Sequence, residues 1–108
     1  MIAMAGERSA AVAERFGTNL RRVRRREGLS QEGLAVRASL HRTEIGRLEG
    51  GERACRIDTL IRLAGAMAVP PGELLDGIAW VPAPEPRGAF AFGSTSIKRK
   101  LISEWPSQ

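Results

Sequence analysis

The tightest constraint on this chain is a pair of short apolar patterns at a fixed spacing. Leu29-Ser30-Gln31-Glu32-Gly33-Leu34-Ala35 comes first, and Ile45-Gly46-Arg47-Leu48-Glu49-Gly50-Gly51 begins ten residues after its last position. Leu34, Ala35 and Ala38 recur at helical steps, as do Ile45 and Leu48, so each segment buries one face. Ser30 suits the N-cap of the first helix, and Gly50-Gly51 stops the second. The spacing predicts helices over 31–38 and 41–49, joined by a turn at Ser39-Leu40. Helices joined so tightly must cross where side chains are small. Ala35 sits at that crossing, and a larger side chain there would push the helices apart.

The flanking sequence supplies partners for both. Residues 7–27 read as a helix in which Val12, Phe16, Leu20 and Val23 form one apolar stripe, with Arg21, Arg22, Arg25 and Arg26 on the other face. Gly28 follows as a left-handed cap. A fourth helix is expected over 57–68, its stripe being Ile57, Leu60, Ile61, Ala64 and Met67. Pro70-Pro71-Gly72 breaks that pattern, and Pro71 suits the first turn of a short fifth helix through Leu74 and Leu75. The fold class is therefore all-α, five helices over residues 7–77, followed by an extension over 78–108. Within the extension, Ile78-Ala79-Trp80-Val81 and Ala89-Phe90-Ala91-Phe92 flank a Pro/Gly loop. They read equally as a hairpin, for dimerisation or for binding a partner, and as a flexible tail with a few apolar residues. Ser94 to Gln108, with its Lys98-Arg99-Lys100 run, reads as a mobile tail.

Composition narrows the classes of function. The formal charge is +5 over 108 residues, which favours polyanionic partners, although the same charge suits a membrane surface or ribosomal RNA. The single cysteine, Cys55, cannot close an intrachain disulfide and points to a reducing compartment. With His41 the only histidine, a structural zinc site is not expected. No apolar run approaches the ~20 residues of a membrane span, and Met1 to Ala5 lacks the character of a signal peptide. A cytoplasmic protein with no cofactor is expected.

Once the apolar residues face inward, Arg42, Thr43, Gly46 and Arg47 fall on the outside of the third helix, with residues 43 and 47 one turn apart. Residues 16–76 then resemble the lambda-repressor-like (XRE-type) helix-turn-helix family. The matching stretches are Leu29-Ser30-Gln31 through Leu34-Ala35, Ile45-Gly46-Arg47-Leu48-Glu49, Leu60-Ile61-Arg62-Leu63-Ala64 and Pro71-Gly72-Glu73-Leu74-Leu75. The resemblance implies a five-helix domain, operator DNA as partner, usually a homodimer, and a third helix that enters the major groove. By position it makes Arg42, Thr43 and Arg47 base-reading residues. Their chemistry agrees, since Arg pairs bidentately with guanine O6 and N7 and a Thr methyl meets a thymine methyl. Gln31 matches a phosphate-anchoring position at a helix N-terminus. His41, at the start of the third helix, is expected near a phosphate, and Arg53 and Arg56, in the loop after it, as phosphate or minor-groove contacts. Arg24 and Glu49 match a structural salt bridge between the first and third helices.

Three residues depart from the family pattern or from helix preference. Ser39 stands where the family turn often uses a left-handed glycine, at a cost of ~1 kcal/mol. Gly33 and Gly46 lie inside expected helices, each ~1 kcal/mol worse than alanine.

The leading functional expectation is a dimeric transcription regulator, a repressor, reading a palindromic operator with half-sites ~10 base pairs apart. The alternative is an antitoxin-type protein that binds a partner protein through residues 78–108, with Trp80, Phe90, Phe92 and Trp105 as anchors, and regulates itself through the helices. An enzyme is not expected, because no phosphate-binding glycine loop, metal cluster or nucleophile–histidine pair can be assembled.

Overall fold

The computed structural model describes residues 5–83 and 88–93. Five helices, α1 (Ala5–Arg26), α2 (Gln31–Ala38), α3 (Arg42–Glu49), α4 (Ile57–Met67) and α5 (Pro71–Leu74), precede two strands, β1 (Ile78–Pro82) and β2 (Gly88–Phe92). The chain divides into two compact units at Leu75/Asp76, whereas the sequence placed the boundary at Gly77. The expected mobile tail, Trp105 and the Lys98-Arg99-Lys100 run lie outside the described residues.

The helical unit closes on one apolar core. Leu20 and Val23 of α1, Leu34 of α2, Ile45 and Leu48 of α3, Leu63 and Met67 of α4 and Leu74 of α5 are all fully buried. Burying each such side chain contributes roughly 1.5–3 kcal/mol. Polar groups finish the packing. Asn19, also fully buried, donates from Nδ2 to the Leu74 carbonyl at 3.0 Å, and Arg22 Nη1 donates to Asn19 Oδ1 at 3.1 Å. The long first helix is thereby fastened to the end of the short fifth one. Gly17 allows α1 to touch the C-terminal end of α3, because a Cβ there would overlap the Leu48 and Glu49 carbonyls.

The turns explain the helix lengths. Ser30 Oγ accepts from the Gly33 amide at 2.9 Å, an N-cap that opens α2. Ser39 ends α2 in the left-handed region at φ 57°, with Leu40 N donating to the Ala35 carbonyl at 2.9 Å. Ala68 ends α4 in the same way, also at φ 57°. Pro71 then opens α5 from its first position, where a missing N–H costs nothing.

One sequence expectation needs correction. The inward face of α4 is Thr59, Leu63, Ala64 and Met67, while Ile57 and Ile61 are 75% and 57% exposed. The apolar arc of α4 is wider than the seam it buries, and contact with α2 and α5 centres the seam on Leu63. The stripe was thus drawn to one side of its true axis.

In the second unit β1 and β2 form an antiparallel hairpin with Ile78 opposite Phe92, Trp80 opposite Phe90 and Pro82 opposite Gly88. This resolves the choice between hairpin and tail for these residues. The Trp80 and Phe90 rings meet edge to face at 5.1 Å, a favoured aromatic geometry. The Trp80 ring lies over Gly88, where a Cβ would collide with it.

Candidate nucleic-acid interface

Two short helices and the turn between them build the outer surface of the helical unit. Burial of Ile45, Leu48 and Glu49 fixes the rotation of α3. That rotation leaves Arg42, Thr43 and Arg47 exposed. Together with Gly46, Gln31 of α2 and Glu52 of the following loop, they line a shallow hollow of about 320 Å³. A neighbouring hollow of about 330 Å³ is lined by Ser39, Leu40, His41, Thr43, Glu44 and Arg47. The residues expected to read bases therefore share one patch, with Gln31 at one border and His41 at the other. His41 occupies the N-cap position of α3 without a side-chain capping bond. Among the described residues, neither Arg42 nor Arg47 forms an ion pair.

Beneath this patch lies a charge cluster. Arg24 reaches Glu49 with two donors, Nε at 2.5 Å from Oε2 and Nη2 at 3.0 Å from Oε1. A third, Nη1, donates to the Leu29 carbonyl at 2.9 Å. The Glu49 side chain is fully buried and that of Arg24 is nearly so. Burial alone would push the Glu49 carboxyl up. Hydrogen bonds from Arg24 and Gln31 and the Arg24 charge outweigh it, holding the carboxyl below its ordinary value. The hydrogen bond to Glu49 in turn raises the Arg24 guanidinium.

Two further donors join this carboxylate. Gln31 Nε2 donates to Glu49 Oε1 at 3.1 Å, and Arg21 Nε lies 3.4 Å from the same oxygen. One amide hydrogen of Gln31 is thus committed inward and the other remains for a ligand. The sequence puts Arg21 on the face of α1 opposite the apolar stripe and gives no sign of its partner. The available signal was its position one turn before Arg24 on α1, which brings both to the end of α3.

The loop cations are engaged differently. Arg53 Nη2 pairs with Glu44 Oε1, tying the loop back to α3. Arg56 Nε pairs with Asp58 Oδ1 at 3.1 Å, and both side chains are more than half exposed. Exposed pairs of this kind hold weakly, so a phosphate can compete for either arginine. The half-buried Cys55 thiol is pushed up to about 11 by burial and by the Asp58 charge. At neutral pH it stays a thiol, the unreactive form.

Among the described residues, no helix is long and apolar enough to cross a membrane, and no group of His, Cys, Asp or Glu could hold a metal ion. Two helices crossing at a tight turn, with an exposed cationic patch on the second, define a helix-turn-helix. A family model described as "Helix-turn-helix domain" matches residues 15–76, and the chain belongs to that family of DNA-binding regulators.

Similar proteins fall in the same group. Control protein C.BamHI of Bacillus amyloliquefaciens is 39% identical over 62 residues, covering 56% of this chain and 76% of that protein. Control protein C.SmaI of Serratia marcescens is 42% identical over 64 residues, covering 59% and 76%. The crystal structure of the restriction-modification controller protein C.AhdI from Aeromonas hydrophila superposes with a TM-score of 0.58. It is 39% identical and covers 59% of this chain and 97% of that one.

Proposed function

We propose that this chain is a transcription regulator that binds a palindromic operator as a homodimer and represses from it, with α3 of each copy in the major groove. Arg42, Thr43 and Arg47 read base edges, while Gln31, His41, Arg53 and Arg56 hold phosphates. The observation that carries this reading is the exposed patch on α3, where Thr43 is flanked by two arginines that have no ion partner among the described residues. Unpaired, exposed guanidiniums on a helix narrow enough for the major groove suit guanine edges. The similar restriction-modification controller protein supplies a setting, the control of a restriction-modification system, and the site of action in this reading is the cytoplasm.

Arg47→Ala tests the base-reading role. Its affinity for the preferred duplex should fall by about 1–3 kcal/mol, with relaxed preference at one base position per half-site. Titration against a panel of single-base variants reads both effects. An unchanged preference profile would remove Arg47 from the base-reading set.

A further inference from the structure

Gly46 stands in the middle of the eight-residue α3, where glycine is the least favourable residue after proline. Among the described residues, nothing requires it. Its φ is not positive, and a Cβ built there meets no atom within 4 Å. Gly33 differs, since a Cβ there would crowd the Ser30 hydroxyl at 3.2 Å. Gly65 in α4 also faces open space, but it lines a separate hollow with Arg37, Ser39 and Ile61.

The position of Gly46 is what distinguishes it. It lies one turn after Arg42 and Thr43 and next to Arg47, in the middle of the exposed patch. The missing side chain leaves a strip of bare backbone, a methyl-sized gap, between two guanidiniums and a threonine. Most groups on the major-groove edges are hydrogen-bond donors or acceptors, for which the arginines are suited. The C5 methyl of thymine is the one that needs space and no partner. Glycine is also the residue that lets a backbone approach a ligand most closely.

Resting on the groove-binding reading above, we propose that Gly46 is a specificity-determining residue. Its bare backbone lets α3 close on the C5 methyl of a thymine lying between the base pairs engaged by Arg42 and Arg47. Any side chain at this position lifts the helix off that base.

The test uses the full chain, Gly46→Ala, and Gly65→Ala as a control, on a duplex selected from random sequence by the natural chain. Both variants should melt about 4–8 °C higher, since each removes a helix-interior glycine at an open site. Gly65→Ala should bind the selected duplex like the natural chain, and Gly46→Ala about tenfold more weakly, with non-specific binding unchanged. At one position per half-site, distinct from any met by the Thr43 methyl, replacing thymine by deoxyuracil should weaken the natural chain about threefold. The same replacement should leave Gly46→Ala unaffected. Equal binding by Gly46→Ala overturns the assignment, as does the absence of a position whose sensitivity to the thymine methyl is lost in Gly46→Ala. A natural chain that selects no sequence contradicts the groove-binding reading itself, and this proposal falls with it.

Discussion

Glu49 shows how much of this surface rests on one carboxylate. It sits at the last position of α3 and accepts from Arg24 and Arg21 of α1 and Gln31 of α2. Removing it leaves the nearly buried Arg24 without its counter-charge. Glu49→Ala should therefore cost about 3–5 kcal/mol, measured by denaturant unfolding at neutral pH. The pH dependence has a definite sign. The folded-state value of Glu49 lies below the ordinary 4.5, so the unfolded chain takes up the proton first. The contribution is complete above about pH 4.5 and is lost as pH falls through the depressed folded value. Glu49→Gln should remove that part of the acid limb, and an unchanged limb would show that the carboxylate contributes little. The Arg24–Glu49 pairing was legible only through family resemblance, because nothing in the spacing of residues 24 and 49 brings them together. The sequence makes Gln31 a phosphate anchor and puts Arg21 on the face of α1 away from the apolar stripe. That they share the same buried oxygen depends on the crossing of three helices, which no local pattern encodes.

At the scale of elements, helix positions were readable and helix rotations less so. Ser30, Gly28, Gly51 and Pro71 carry conformational preferences in their own chemistry, and α2 runs over the expected 31–38. The rotation of α4 was missed because Ile57, Leu60, Ile61, Leu63 and Ala64 give an arc broader than the contact. Only packing against α2 and α5 selects which part is buried. Turn conformation divides in the same way. The left-handed Ser39 was anticipated from the family pattern, whereas Ala68, at the same φ of 57°, carries no residue-level sign of it. Both are non-glycine residues in a region that costs about 1 kcal/mol. Ser39→Gly and Ala68→Gly should each stabilise the helical unit by up to about 1 kcal/mol, seen as a higher melting midpoint. Destabilisation by either would mean that the side chain contributes more than the backbone strain removes.

For the whole molecule, the two units pose different questions. The helical unit has its own core and carries the exposed arginines. The hairpin displays Trp80, Phe90 and Phe92, each more than one third exposed. The sequence alternatives for residues 78–108, dimerisation or capture of a protein partner, concern that second unit. The central claim concerns the first, that a basic patch on α3 reads a defined sequence with two-fold symmetry. Basic charge alone binds any duplex, with affinity that falls steeply with salt. Sequence reading adds a preference that persists as salt rises. Selection from random duplex DNA by the full chain, at two salt concentrations, separates the two. The account predicts one palindromic consensus at both, with half-site centres about 10 base pairs apart. Enrichment of no consensus, with binding that simply fades as salt increases, would contradict it.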